Sequence, residues 1–353
     1  MKKALLLGGT GAMGVYLQSL LTDNGYEVTV TSRSSKTSEN VNVKFIQGNA
    51  QDDDFIDEVL TLGWDVVVDF MIYSTSSFEK KVDKLLKYTK QYVYLSSARV
   101  YADSNGKITE NSSRLLDVSK DTEFLATDEY ALAKARQENI LYSSKAKNWT
   151  IVRPYITYGD NRLQLGVLEK ESWLYRALKG KTIVFSKEMC GKRTTITSGY
   201  DVAKAISSLL GREGALGEVF HITSNESTSW EEVLTLYCEE IEKQLGFRPK
   251  VLLQDLPEFS SHHASIYQIR YDRFYNRTFD NSKIERFIDV NDFTSYSEGL
   301  KACLNTFVYN PKFLAINWRS EAIKDKYAGE YTRLSEIDGV KNKLKYIYFR
   351  FIK

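Results

Sequence analysis

Seven consecutive residues, Gly8-Gly9-Thr10-Gly11-Ala12-Met13-Gly14, constrain the fold of this chain more than any others. They follow a short apolar run over residues 3–7 and precede a helical pattern over 12–24. The spacing of Gly8, Gly11 and Gly14 therefore predicts a tight turn between a first strand and a first helix. Glycine is needed there for backbone reasons. It permits a sharp turn, lets the main chain approach a pyrophosphate, and lets helix and strand pack closely. The helix N-terminus then presents oriented N–H groups to negative charge. Gly8, Thr10, Gly11, Ala12, Met13 and Gly14 are accordingly candidates for holding a dinucleotide.

Further along, strand-like runs over 27–32, 43–47, 65–71, 91–96 and Trp149 to Arg153 alternate with helical patterns over 53–62, 77–90 and 128–144. This alternation predicts an α/β fold, a Rossmann-like doubly wound parallel sheet with right-handed crossovers. From about residue 155 the rhythm loosens. Helical stretches over 167–179, 201–210 and 230–245 are broken by Gly, Ser and Asn, and 247–290 is aromatic and irregular. A chain of 353 residues has room for two domains. The expected division is a dinucleotide-binding domain over 1–155, to which 196–222 returns, a smaller substrate-binding domain mainly over 156–310, and a C-terminal extension over 311–353.

The second strand ends Val30-Thr31-Ser32-Arg33-Ser34. A dinucleotide site usually carries an acid about 20 residues past its glycines, on the adenosine ribose. Here Arg33, helped by Ser32 or Ser34, stands instead, which favours NADP(H) over NAD(H), although stacking of Arg33 on adenine is the competing reading. Asn49 and Ala50, after the third strand, are expected to border the adenine. Tyr130 and Lys134 lie four residues apart, on one face of a helix. An ammonium so placed favours the phenolate and suits the tyrosine to exchange a proton with an alcohol or carbonyl oxygen. Ser97 closes a parallel strand, where side chains reach the ligand crevice, and can bond the same oxygen.

In that order, these pieces resemble the extended short-chain dehydrogenase/reductases of the nucleotide-sugar epimerase/dehydratase family, over roughly residues 1–310. The matching segments are the glycine turn, Asp65 to Asp69, Ser96 to Tyr101, Tyr130 to Lys134, Arg153 to Gly159, Arg193 to Ala203 and Phe279 to Ile284. The resemblance implies a catalytic triad of Ser97, Tyr130 and Lys134, with Tyr130, Lys134 and Arg153 also at the cofactor. It implies substrate contacts from Ser97, Ala98, Arg99, Tyr155 and Arg193, with the Arg193 fork on a diphosphate. It also implies a homodimer. Two departures stand out. Family 4,6-dehydratases carry Thr-Asp-Glu where this chain has Ser97-Ala98-Arg99, so the acids of water elimination are missing. Ile156 replaces a family Asn and removes a polar contact. Thr127-Asp128-Glu129 lies on another element and reads as a helix start, with Thr127 as its cap. The resemblance thus implies a reductase of a nucleotide-diphosphate 4-keto sugar, in polysaccharide biosynthesis. A 4-epimerase holding NAD(H) is the alternative, and a non-catalytic or RNA-associated relative the third.

Composition narrows the field further. Lys+Arg 48 against Asp+Glu 46 gives a net charge of +2, with no global basic field for nucleic acid. Cys190, Cys238 and Cys303 are widely spaced, which fits a reducing compartment and a cytoplasmic enzyme. His221 and the His262-His263 pair lack a third ligand at suitable spacing, so no metal site is expected. No G-x-S-x-G elbow of a hydrolase occurs. No apolar run approaches the roughly 20 residues of a membrane helix. Residues 341–353 hold five basic residues and no acid among many aromatics. Their expected state is packed on the body with lysines in water; contact with a membrane surface is the second reading.

Overall fold

The structure is a computed structural model, and it describes residues 1–263 and 265–352; Ala264 in the aromatic stretch and Lys353 in the basic tail lie outside them. The chain forms two compact units. The first comprises Met1–Thr157, Thr195–Ser227 and Arg277–Tyr296. The second comprises the described residues of Tyr158–Thr194, Thr228–Asn276 and Ser297–Lys353.

In the first unit the strands of the main sheet are β1 (Lys2–Leu7), β2 (Tyr26–Ser32), β3 (Val43–Gln47), β4 (Trp64–Asp69), β5 (Thr89–Leu95), β6 (Trp149–Pro154) and β7 (Glu218–Ile222). They form one sheet in the order β7-β6-β5-β4-β1-β2-β3, every pair parallel. The chain reverses its direction of winding between β1 and β4, which is where an open α/β sheet leaves a ligand crevice beyond its strand ends. The helices of eight residues or more are α1 (Gly14–Asp23), α2 (Asp53–Leu60), α3 (Thr75–Lys87), α4 (Tyr130–Ser143) and α5 (Gly199–Leu209).

Strand period explains the two-sided core. Ala4, Leu6, Val28, Val30, Val66 and Val68 point to one face, against Leu17 and Leu21 of α1 and Val202, Ile206 and Leu209 of α5. Leu5, Leu7, Val67, Tyr92 and Tyr94 point to the other, against α2, α3 and Leu141 of α4. Both faces are covered, so the strands read as near-continuous apolar runs.

Two expectations change. The helix over 167–179 shrinks to Leu174–Leu178. Gly166, with φ of +60°, folds the preceding residues into a Leu165/Leu168 bridge instead. Residues 277–296, expected with the substrate domain, belong to the first unit. Ile284, Val290 and Phe293 bury themselves in its core, and Phe279 bridges to Ile108.

The second unit contains α6 (Trp230–Leu245), α7 (Tyr296–Tyr309), α8 (Trp318–Ala328) and α9 (Val340–Ile347), with a two-stranded parallel pair of Ile183–Ser186 and Val251–Gln254. A Ser229/Glu232 capping box starts α6. Trp173 stacks on Tyr237 with ring centroids 4.3 Å apart. Buried ions join the C-terminal helices to this unit. The Arg176 guanidinium, fully buried, donates to Glu321 and Asp325 of α8 and to Glu330, each at 2.9 Å.

The glycine turn yields a direct test of the packing. A Cβ on Gly14 would stand 2.5 Å from the Gly9 backbone, whereas one on Gly11 would meet nothing within 4 Å. Gly14→Ala is expected to cost about 1–3 kcal/mol through overpacking and to lower the Tm measured by calorimetry. Gly11→Ala is expected to leave the Tm unchanged.

Candidate active site

The turn after β1 is held by its own hydrogen bonds. Gly8, at φ +70°, donates its N–H to Thr31 Oγ1 at 3.0 Å, and Thr10 N donates to Gly8 O at 2.9 Å. Gln18 of α1 donates to Gly9 O at 2.8 Å. Met13 precedes α1 without a side-chain cap, and the first turn of α1 carries no acid. Its N–H donors and the open space at Gly11 fit a pyrophosphate. Ala12 lies in the same turn, half-buried.

At the end of β2, Ser32 is buried with its Oγ 3.5 Å from Ser34 Oγ, and Arg33 is exposed. Asn49 Oδ1 accepts the Gln51 N–H at 3.2 Å, and Ala50 is packed into the core. Thus Ser32, Arg33 and Asn49 retain polar groups at this edge, while Ala50 contributes only its packing.

A second group of candidates forms around the N-terminus of α4. Tyr130 opens the helix and is half-buried; Lys134 lies one turn on and is almost wholly buried. Lys134 Nζ donates to Leu95 O at 2.6 Å and to Met71 O at 3.5 Å. It sits 4.5 Å from the Tyr94 ring centroid and 5.9 Å from that of Tyr130. Burial pulls its pKa down to about 8, opposed by the negative charges of Asp69 and Glu138. Ser97 caps the 3-10 turn Ala98–Val100, its Oγ accepting the Arg99 N–H at 3.2 Å. A hydroxyl that accepts there keeps its own proton to donate elsewhere. Ala98 is fully buried within that turn.

The same turn carries Arg99 over the Tyr130 ring, 5.0 Å from guanidinium carbon to centroid. Arg99 also pairs with Glu129 at 2.5 Å. Glu129 accepts the Ala131 N–H at 2.7 Å and is the cap of α4, in place of the expected Thr127. The helix starts later because Thr127 Oγ1 bonds Phe124 O and Asp128 accepts from Thr75.

The sequence reading missed Asp69 as a site group. This carboxylate ends β4, fully buried, and accepts from Tyr92 OH at 2.8 Å, Met71 N at 2.9 Å and Tyr73 OH at 3.4 Å. Burial pushes its pKa up to about 6, against those donors and the Lys134 charge. An acid ending an otherwise Val-rich strand, Val66-Val67-Val68-Asp69, was the available signal.

Glu138 is the second missed carboxylate. Arg153 grips it bidentately, with Nε and Nη2 each 2.7 Å from its two oxygens. Arg114 Nη1 adds a contact at 3.1 Å and Ser96 Oγ one at 2.6 Å. Arg153 also bonds Glu110 O and Tyr142 OH. Its guanidinium is thus committed to neighbouring protein groups. Tyr155 is buried with its ring 5.4 Å from Phe279. Arg193 belongs to the second unit, exposed on a two-residue strand, and its N–H donates to Asn276 at 3.0 Å. Among the described residues, no group of three or more His, Cys, Asp or Glu is arranged to hold a metal.

A doubly wound parallel sheet, a glycine turn after its first strand, and a Tyr/Lys helix beside its fifth define the extended short-chain dehydrogenase/reductase class. A match to the family model over residues 4–223 goes further: the chain belongs to the NAD dependent epimerase/dehydratase family. Among its relatives, the chloroplast stem-loop binding protein of 41 kDa b of Arabidopsis thaliana is 25% identical, over 78% of this chain and 71% of that one. UDP-N-acetyl-alpha-D-glucosaminuronate decarboxylase of Bacillus cytotoxicus is 22% identical over 87% and 98%. The UDP-glucuronic acid 4-epimerase of Bacillus cereus, solved with UDP-glucuronic acid and NAD, is similar in fold with a TM-score of 0.64. It is 16% identical, with 87% of this chain and 99% of that one covered.

The buried pair is open to measurement. In protein labelled with 13C at lysine Cε, one resonance is expected to titrate near pH 8 and to vanish in Lys134→Met. Asp69→Asn removes a charge that raises the Lys134 pKa, so the midpoint is expected to move below that of the wild type.

Proposed function

We propose that the protein is an oxidoreductase acting at C4 of a nucleotide-diphosphate sugar. The observation that carries this reading is the Tyr130 ring with two cations near it, the Lys134 ammonium 5.9 Å and the Arg99 guanidinium 5.0 Å from its centroid, Arg99 standing two residues past Ser97. When bound on the glycine turn, a nicotinamide cofactor supplies or accepts the hydride. Tyr130 gives its proton to the sugar O4 or takes it back. The Ser97 hydroxyl donates to the same oxygen and fixes the carbonyl. Lys134 stabilises the phenolate left on Tyr130 and has donor capacity for a ribose hydroxyl. Arg99 adds a second positive charge near the ring, reduced by its pairing with Glu129. Arg153 positions α4 through Glu138.

The favoured direction is net reduction of a 4-keto sugar with NADPH. Its supports are the absence of an acid at the end of β2, the exposed Arg33 there, and Ser97-Ala98-Arg99 in place of elimination acids. The second reading is a 4-epimerase, in which the same three residues serve oxidation at C4 and reduction on the opposite face. The Bacillus cereus relative, solved with NAD and UDP-glucuronic acid, favours it. A homodimer in the cytoplasm belongs to either reading. The third reading, a non-catalytic or RNA-associated relative, is kept open by the Arabidopsis stem-loop binding protein.

The nucleotide released by gentle denaturation of freshly purified protein separates the first two. An empty site, or exchangeable NADP(H), is expected for the reductase; near-stoichiometric NAD(H) would establish the epimerase. In either case Tyr130→Phe is expected to lower kcat by about 10²–10⁴-fold while nucleotide binding persists. Full turnover by that variant would overturn C4 chemistry through Tyr130, and full biological activity without turnover would support the RNA-associated reading.

A further inference from the structure

The last described helix has two unlike faces. On the inner one, Tyr346 is buried, donating its OH to Asp325 at 2.6 Å and accepting the Thr332 N–H at 2.7 Å. Phe349, in the turn that follows (Tyr348–Ile352), packs on the Trp318 cluster beneath the Arg319 guanidinium, and Arg350 bonds Glu330 O. On the outer face stand Val340, Leu344, Tyr348 and Phe351, which are 73%, 62%, 45% and 64% exposed, with Ile352 at 71%. Spacings of four, four and three residues align the first four on one stripe. Lys341 and Lys345 are exposed beside it, Lys343 flanks its other edge, and none of the three makes an ion pair among the described residues. No acid occurs from Gly339 onward.

We infer that α9 and its following turn form a docking surface for an anionic phospholipid bilayer. A helix with a basic border and an exposed apolar stripe lies in the plane of the headgroups, with apolar side chains at the acyl boundary and lysines among the phosphates. Among the described residues no helix is long and apolar enough to cross a membrane, so the contact is peripheral. Charge selects the lipid over a second copy of the chain. Pairing this stripe with itself would bring two rows of lysines together with no acid in the segment to offset them, whereas acidic headgroups supply the missing charge.

Flotation of the full chain tests the inference, with vesicles of phosphatidylcholine containing 30% phosphatidylglycerol against phosphatidylcholine alone. At low salt the protein is expected to partition onto the anionic vesicles at least ten-fold better than onto neutral ones, and to lose most of that binding at 0.5 M NaCl. L344E/F351E is expected to abolish binding with an unchanged Tm and circular dichroism spectrum. K341Q/K345Q, which leaves the stripe intact, is expected to weaken binding to anionic vesicles alone. Wild-type protein that stays in the aqueous phase overturns the inference, as does equal binding to both vesicle types. A dimer in sedimentation that L344E/F351E converts to monomer would assign the stripe to self-association instead. Preference for a hairpin RNA over vesicles, lost in K341Q/K345Q, would overturn it too.

Discussion

A buried ammonium is the constraint around which the first unit is arranged. Lys134 keeps 2% of its surface in water, and an isolated cation so placed is heavily penalised. Every group that offsets this cost comes from the carboxyl edge of the sheet or from its own helix. The Leu95 carbonyl ends β5, Met71 follows β4, and Asp69 ends β4 in register with Tyr94 on one side and Leu7 on the other. The strands therefore do more than fill a core: their parallel register fixes where the acceptors for this one side chain stand. Asp69 is held in turn by Tyr92 and Tyr73 from neighbouring elements.

The pair is held charged against its own energetics. The Asp69 pKa rises from 3.8 to about 6. Its contribution favours folding below 3.8 and is lost as pH rises through about 6. Lys134 falls from 10.5 to about 8, so its contribution is present above 10.5 and lost as pH falls through about 8. Between these limits both groups are charged at the expense of stability, by about 3 kcal/mol each at 1.36 kcal/mol per pKa unit. Domains have only about 5–15 kcal/mol in total. A charge retained at that cost stands beside a half-buried tyrosine at the strand-end crevice, an arrangement consistent with the proton transfer proposed for Tyr130.

What could be read in the sequence follows from what is local. The glycine turn, the Val-rich strands and the Tyr130/Lys134 spacing are determined within a few residues, and the sheet and α4 follow those signals closely. The cap of α4 was misplaced because Thr127 finds a nearer backbone partner in Phe124. The places of Asp69 and Glu138, and the pairing of Arg99 with Glu129, were hidden for another reason. Each depends on contacts across 15 to 30 residues or more, as in Arg153 to Glu138, Arg99 to Glu129 and Tyr92 to Asp69. Arg153 is instructive: a charged residue on a strand end suggests a ligand, and here Glu138 takes Nε and Nη2 of its guanidinium while Nη1 bonds Glu110 O. Residues 277–296 return to the first unit through Ile284, Val290 and Phe293, three apolar positions in an irregular stretch that has no periodic pattern to expose them.

The second unit uses charge differently. Arg176, Lys181 and Lys324 face Glu321, Asp325 and Glu330, three cations against three carboxylates. His262 and His263 lie near Lys324, and burial with that charge brings their pKa values to about 3 and 4. Both imidazoles are therefore neutral near pH 7 and leave the balance of the cluster undisturbed. Replacing such ions with apolar side chains of equal volume often leaves stability the same or better, so stability alone does not account for them. What they add is direction. Asp325 accepts at once from Arg176, Lys181, Thr332 and Tyr346. Those four donors meet only when α9 is seated with Tyr346 inward. An apolar cluster would tolerate rotation of that helix about its axis; a carboxylate with four directional partners does not. The outward position of Val340, Leu344 and Phe351 is thus fixed from within, by the same hydrogen bonds that bury Tyr346.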